Sequence, residues 1–201
     1  MIFSEVAQFN TAVDYVLRPA GFVRDKQFWR RFTDDFVDMA DVQISSNFEK
    51  VTINLQIVER RTFEIYSGQP ADAETRYYHC PVDRRLNMII TEYDRWWPRG
   101  DPETPSLMLE AIRDHGLPYF DKMHSLEAME THIRKVVAKP WRDQRGTVFL
   151  AITLCRMGRI EEALDLIKDP PAERDYRYSH KEVEVFRQRI LAEARRQAGE
   201  S

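Results

Sequence analysis

Aromatic and β-branched runs separated by polar clusters fill the stretch from Gly21 to Ile57. In the last two runs, apolar and polar residues alternate. The apolar positions are Val42, Ile44, Val51, Ile53, Leu55 and Ile57, and the polar positions between them are Gln43, Ser45, Thr52, Asn54 and Gln56. A period of two residues is typical of a strand that is buried on one side, so this stretch predicts an antiparallel β-meander with one apolar and one polar face.

The polar face of this predicted meander has two interpretations. Gln43, Ser45, Asn54 and Gln56 can present a row of amides and a hydroxyl to a partner, or they can simply form a solvated outer surface. The sequence leaves both open, and Gln43 and Asn54 are retained as candidate binding residues.

An N-terminal helix is predicted from Ser4 onward, because apolar residues recur at helical spacing. They are Val6, Phe9, Val13, Val16 and Leu17. The segment RPAG supplies a proline and then a glycine that end the helix. We expect this helix to cover the apolar face of the sheet.

The middle of the chain predicts more β structure. The segment ERRTFEIYSGQPADAETRYYHC is interpreted as a strand end, an exposed loop and a return. RLNMIITEYDRWW is an apolar run that predicts another strand, until Pro98 breaks the pattern.

Helices are predicted for the remainder. Thr104 is the expected N-cap of a helix that ends at Gly116 and Pro118, and a second helix begins near Ser125 and ends before Pro140. GTVFLAITLCRMGRIEEALDLIKDPP predicts a helical hairpin around Gly158 that resembles part of a tetratricopeptide repeat in a single copy. Ser179 and Glu182 form the capping box of the last helix.

Strand patterns followed by helical ones predict an α+β fold, with an N-terminal helix on an antiparallel or mixed sheet and helices after it. With 201 residues and 43% hydrophobic content, the chain can bury one sizeable core. We expect an α+β domain over residues 1–140 and a helical C-terminal extension over residues 141–201.

Charge and cysteine content narrow the classes of function. A net charge of -3, from 30 basic and 33 acidic residues, does not favour a nucleic-acid partner. The N-terminus lacks a signal-peptide pattern and no apolar run approaches the ~20 residues of a membrane span, so we expect a cytoplasmic protein without membrane contact. Cys80 and Cys155 are then expected to be reduced thiols without a disulfide.

Motifs for catalysis, cofactors or metals are not found in the sequence. It has no glycine-rich phosphate loop, no nucleophile elbow and no zinc-ligand spacing, so we expect no cofactor, no metal and no catalytic residue. His79 and Cys80 are adjacent, and neighbours on a strand point to opposite faces, which argues against a direct thiol–imidazole pair.

Two adjacent tryptophans, Trp96 and Trp97, precede a proline-rich loop and lie among charged residues. Indole and guanidinium groups are enriched at protein-binding hot spots, although both rings can equally fill the junction between sheet and helices. The candidate binding residues here are Arg85, Asp94, Arg95, Trp96, Trp97 and Arg99. We expect Arg95, Trp97 and Arg99 in particular to contact a protein partner.

A series of short motifs resembles the bacterial family called domain of unknown function 4304 (DUF4304). In chain order they are GFVRDKQFWRR, VQISSNFEKVTINLQI, a cysteine followed by RRL, DRWW, GLPYFD and LCRMGRIEEA. The resemblance would cover nearly all of residues 3 to 170. The resemblance implies an α+β domain with no established catalytic residues. The family tends to show a glycine after the asparagine and one more residue in the fourth strand, where this chain has Asn54, Leu55 and Gln56.

Members of that family resemble, in size, the small cytoplasmic proteins encoded beside bacterial toxins. The sequence therefore favours a non-catalytic protein-binding domain, specifically an immunity-type protein that neutralises a toxin. The alternatives are a small-molecule or nucleotide sensor, with the polar strand face and the Arg and Trp loop lining a cleft, and an enzyme of unidentified chemistry. The sequence does not indicate an oligomeric state.

Overall fold

The computed structural model describes residues 2–71, 80–138, 144–168 and 179–199. An N-terminal helix precedes an antiparallel six-stranded sheet, and helices follow it, so the α+β fold predicted from the sequence is confirmed. Among the described residues, no helix combines the length and the apolar character needed to cross a membrane.

The first helix, α1 (Ile2–Leu17), ends at the predicted proline and glycine, and Gly21 adopts φ +88°. Its buried face includes Phe9, Val13 and Leu17. The indole N–H of Trp29 donates to the carboxylate of Asp14 at 3.0 Å, which fixes α1 to a strand of the sheet.

The sheet has the spatial order β1-β2-β3-β4-β5, and β6 pairs with the beginning of β4. Its strands are β1 (Val23–Asp25), β2 (Phe28–Phe32), β3 (Phe36–Ile44), β4 (Lys50–Glu59), β5 (Val82–Arg85) and β6 (Trp97–Pro98). The alternating apolar residues Val51, Ile53, Leu55 and Ile57 are all fully buried, as the pattern predicts. The meander therefore supplies one side of the core.

Helix α2 (Arg60–Ser67) corrects the prediction of a strand end and loop directly after β4. The side chain of Glu59 accepts hydrogen bonds from the backbone N–H and the hydroxyl of Thr62, both at 2.6 Å. Gly68 then ends the helix in the left-handed conformation. A carboxylate cap and a C-terminal glycine outweigh the short alternating pattern. The predicted return, residues 72–79, and with it His79, lies outside the described residues.

Helix α3 (Leu86–Thr91) is a second correction, because this apolar run was predicted to be a strand. At the two ends of this run, Arg85 belongs to β5 and Trp97 to β6, and both strands pair in the sheet. A short apolar run does not distinguish a buried strand from a buried helix. Here the helix is closed by Glu92, whose φ is +62°.

Helix α4 (Thr104–Ala111) does not end at Gly116 as predicted, because a π-helical turn (Ile112–Gly116) joins it to α5 (Leu117–Met123). The backbone N–H of Leu117 donates to the carbonyl of Ile112, five residues earlier, and this wider turn accommodates Pro118, which has no N–H. Thr104 is the first helical residue rather than the N-cap.

The remaining helices follow the sequence patterns. They are α6 (Leu126–Val137), α7 (Gln144–Arg156), α8 (Ile160–Lys168) and α9 (His180–Gln197). Ser125 caps α6, Gly158 forms the turn of the α7–α8 hairpin with φ +79°, and the capping box of Ser179 and Glu182 begins α9. Cys80 and Cys155 are buried and are not joined by a disulfide.

The chain divides into two compact units. The first comprises Met1–Ile57 and Asp83–Met123, and the second comprises Val58–Val82 and His124–Ser201. The sequence placed its boundary at residue 140, after α6. Helices α2 and α6 belong to the same compact unit as the later helices, and the boundary at residue 140 stays a prediction.

Candidate functional site

Several hydrogen bonds hold the turn between β3 and β4. The backbone N–H of Ser45 donates to the carbonyl of Lys50, and the N–H of Phe48 donates back to the carbonyl of Ser45, both at 2.9 Å. The hydroxyl of Ser45 accepts from the N–H of Lys50 at 3.0 Å. The amide of Asn47 donates to the carboxylate of Glu49 at 2.7 Å. Six residues are thus fixed in one conformation, and we call them the β3–β4 turn (residues 45–50).

Arg99 holds this turn from a distant part of the chain. Its backbone N–H donates to the carbonyl of Glu49 at 2.8 Å, and its guanidinium Nη1 donates to the carbonyl of Phe48 at 3.1 Å. Pro98 of β6 pairs with Lys50. Arg99 is buried, with 8% of its surface exposed, so the structure places it behind the turn rather than on an open binding surface.

Phe48 is a large apolar residue that the β3–β4 turn exposes to solvent. Its side chain is 63% exposed and its φ is +61°. A bulky residue rarely adopts a positive φ, and such backbone strain costs on the order of 1–3 kcal/mol and persists only where the surrounding structure enforces it. Asn47, directly before it, would adopt that conformation more readily. The β3–β4 turn thus carries an exposed aromatic ring at a backbone conformation that is unfavourable for phenylalanine.

The segment around Trp96 and Trp97 (residues 94–99), which we call the tryptophan loop, is held by contacts with Arg85 and Asn87. The guanidinium of Arg85 lies 4.9 Å from the ring centroid of Trp96 and donates to the carboxylate of Asp94 at 2.5 Å. The side-chain amide of Asn87 donates to the carbonyl of Arg95 at 3.0 Å. The backbone carbonyl of Arg95 is therefore fixed, while its side chain is exposed.

The predicted binding residues do not form one cleft, because they lie on two faces of the sheet. Trp97 pairs with Val51 across β6 and β4, so the two side chains share a face. Asn54 is three residues from Val51 along the strand and thus points to the opposite face. A small-molecule sensor was expected to bind in a cleft lined by the polar strand face and by the Arg and Trp loop. Asn54 of the strand face and Trp97 of the loop lie on opposite faces of the sheet, so they cannot line one cleft here.

The polar strand face contains a compact hydrogen-bonded cluster, made of Asp41, Gln43, Asn54 and Gln56. Asn54 donates to Asp41 at 3.0 Å and to Gln43 at 3.1 Å, and Gln56 donates to Asp41 at 2.8 Å. Burial raises the pKa of the Asp41 carboxyl above its usual range, although the bonds from Gln56 and Asn54 oppose the shift. Gln43 and Asn54 therefore interact with each other as well as sharing a face.

Two buried polar atoms on this face have no hydrogen-bond partner. Thr52 and Gln56 are 0% and 1% exposed, and the Oγ1 of Thr52 and the Oε1 of Gln56 remain unsatisfied. Buried polar groups normally carry a partner, often an ordered water. The interpretation of a fully solvated outer surface does not hold for these two residues.

Phe48 is not among the candidate binding residues predicted from the sequence. It lies in SSNFEK, a polar cluster interpreted as a turn, and an aromatic ring in the middle of such a cluster is the available signal. Its exposure is set by Arg99, whose contact with it spans 51 positions of sequence. Among the described residues, no group of three or more His, Cys, Asp or Glu side chains is arranged to hold a metal ion.

Comparison with known families identifies this part of the chain. The family described as domain of unknown function (DUF4304) matches residues 13–122, which is more than half of the chain. The chain belongs to the DUF4304 family. This match is narrower than the resemblance over residues 3–170, and it contains both the β3–β4 turn and the tryptophan loop. The comparison with curated proteins and the one with solved structures found no match.

Proposed function

We propose that this DUF4304 protein is a protein-binding domain whose contact surface centres on Phe48. The observation that carries the proposal is the 63% exposed ring at φ +61°, on a turn held by Arg99. The half-buried Trp97, which pairs with Val51 directly after the turn, extends the surface, and the exposed Arg95 lies two residues before Trp97 in sequence.

The physical advantage of such a turn is that its conformational entropy is already lost before binding. Association carries a free-energy cost for each side chain or loop that becomes ordered, and a rigid aromatic residue lowers that cost. Hot spots are enriched in aromatic and arginine residues whose truncation costs ~2 kcal/mol or more. The β3–β4 turn offers an aromatic residue of this kind.

In its more specific form, the proposal is that the partner is a bacterial toxin and that this protein is a cytoplasmic immunity-type protein. Support comes from the resemblance in size to small proteins encoded beside toxins. A toxin gene next to the gene of this protein would provide independent support.

A second candidate function is the binding of a small polar molecule on the strand face that carries Asp41. The unsatisfied oxygens of Thr52 and Gln56 favour it, because a ligand with hydrogen-bond donors would pair both. This function predicts that Gln56→Leu abolishes ligand binding and that Phe48→Ala does not affect it.

Site-specific photo-crosslinking in the native host tests the leading proposal. A photoreactive phenylalanine analogue replaces Phe48 in the full chain, and a matched control carries it at Tyr15, which is 75% exposed on α1. We expect a discrete adduct with one protein from position 48 that position 15 does not form. Identical adducts from both positions, or no adduct at position 48 in folded protein, would contradict the proposal.

The identified partner then tests the immunity role. If it is a toxin, its expression should arrest growth, and co-expression of the wild-type chain should restore growth. The Phe48→Ala variant should fail to do so, while Tyr15→Ala protects as well as the wild type. A partner without toxicity would refute the immunity role and leave protein binding intact.

A further inference from the structure

Helix α9 contacts α2, α7 and α8. Its buried apolar side chains there include Phe186 and Ile190. The ring of Phe186 stacks on Tyr66 with centroids 5.5 Å apart, and Tyr66 stacks in turn on Phe149 at 4.3 Å. The capping box of α9 is made by residues of its own N-terminus, so the helix does not depend on α2 or α7 for that cap.

Arg189 of α9 caps the C-terminal end of α2. Its Nη1 donates to the carbonyls of Ile65 and Tyr66, at 3.1 and 2.5 Å. Gly68, which ends α2, makes room for this guanidinium. A Cβ atom at Gly68 would lie 2.5 Å from the Nη2 of Arg189. The surface is therefore shaped to accept an arginine at this point.

Glu193, one turn further along α9, is the charged centre of the contact. Its side chain is 0% exposed. One oxygen accepts from Nε and Nη2 of Arg61 on α2, at 3.0 and 2.6 Å, and the other accepts from Nη1 of Arg156 on α7, at 3.2 Å. The guanidinium groups of Arg61 on α2 and Arg156 on α7 thus both bind the Glu193 carboxylate of α9.

Each side of this contact also carries its own neutralising partner. The pairs are Arg61 with Glu64 at 2.7 Å, Arg156 with Glu59 at 3.1 Å and Arg196 with Glu193 at 2.8 Å. Separating a buried ion pair is costly when it leaves an unpaired charge behind. Here α9 can leave with Arg196 beside Glu193, and the arginines of α2 and α7 keep Glu64 and Glu59. Such a contact can open and be formed again with another helix.

We propose that the surface formed by α2, α7 and α8 is a binding groove for a helix of a partner protein, and that α9 occupies it in the resting chain. The partner helix would carry an aromatic residue, then arginine three, an aliphatic residue four and glutamate seven positions later. This is the spacing of Phe186, Arg189, Ile190 and Glu193, and it is typical of helix-in-groove recognition. The proposal is independent of the contact at Phe48.

A peptide with the sequence of residues 179–199 is the probe for this groove. It is labelled with a fluorophore and titrated with the full chain carrying Phe186→Ala and Arg189→Glu, which weakens the internal α9. We expect it to bind this variant at least ~10-fold more tightly than the wild-type chain, where tethered α9 competes at high effective concentration. A matched peptide with Glu193→Lys should bind at least ~10-fold more weakly than the first.

Equal binding of the two peptides, or no binding to a variant that keeps its helical circular dichroism, would overturn the proposal. If the variant does not fold, amide hydrogen exchange in the wild-type chain tests whether α9 separates from the other helices. We expect the amides of 180–197 to exchange at least ~10-fold faster than those of 148–155, because α9 opens locally. Exchange of both segments at one common rate, through global unfolding, would show that α9 is a fixed part of the core.

Discussion

Replacing Glu193 by Gln should destabilise the second compact unit, which comprises Val58–Val82 and His124–Ser201 and is called the helical unit below. The size of this effect should depend on pH. Burial alone would raise the pKa of Glu193, but hydrogen bonds from Arg196, Arg61 and Gln197 outweigh it and hold the pKa at about 2. Since this value is below the ordinary 4.5, the folded state favours the ionised form. The resulting stability is fully present above the ordinary pKa and is lost as the pH falls through it toward the folded value.

The magnitude follows from the difference between the two pKa values. At roughly 1.4 kcal/mol per unit of pKa, the difference between 4.5 and about 2 corresponds to about 3 kcal/mol of unfolding free energy at neutral pH. The same relation gives about 2.5 kcal/mol near pH 4 and about 1.4 kcal/mol near pH 3. A Gln side chain carries no charge at any of these values, so the wild type should lose its advantage over Glu193→Gln along this curve.

Urea unfolding at several pH values, followed by far-ultraviolet circular dichroism, measures this difference, and hydrogen exchange in α7 assigns it to the helical unit. The matched control is Glu184→Gln, which removes an exposed carboxylate from the same helix and should change stability by no more than about 0.5 kcal/mol. A loss below about 1 kcal/mol for Glu193→Gln at neutral pH, or a loss equally large near pH 3, would refute the reasoning.

Three further outcomes are expected. Arg31→Ala should lower the unfolding free energy by about 1.5 kcal/mol or more in denaturant titrations, because it removes the 2.8 Å charged hydrogen bond to Asp38, whose side chain is 0% exposed; an unchanged midpoint would contradict this. Gly68→Ala should cost more stability than Gly158→Ala, since both have positive φ but only the first would crowd a guanidinium; equal costs would show that the crowding relaxes. Alkylation of Cys80 and Cys155 should require unfolding, because both thiols are buried and burial raises the pKa of Cys155 to about 11; rapid labelling of native protein would refute it.

Local sequence patterns were sufficient for the long elements of the fold. Helix α1 and the meander have sustained periods of 3.6 and 2 residues, and α6 and α9 begin at residues whose side chains cap them. Helices α2 and α3 were missed because each has eight residues or fewer, so periodicity alone could not separate helix from strand. The cap that decides for α2 is a glutamate, which is not among the preferred N-cap residues.

The candidate site was only partly accessible from sequence. Gln43 and Asn54 were correctly placed on one polar face, because alternation fixes the face of each strand residue. The carboxylate of Asp41, which accepts hydrogen bonds from Asn54 and Gln56, lies in the same alternation but was not recognised. Arg99 was expected to contact a partner, and its hydrogen bonds to the carbonyls of Glu49 and Phe48 show that it supports the turn.

Affinity for the partner captured at position 48 is the most direct test of the central claim. Calorimetry would compare the wild type, Phe48→Ala and Tyr15→Ala, each checked for folding by circular dichroism. The account predicts binding at least ~30-fold weaker for Phe48→Ala, the equivalent of ~2 kcal/mol, and a change within about twofold for Tyr15→Ala. A folded Phe48→Ala variant that binds as tightly as the wild type would contradict it.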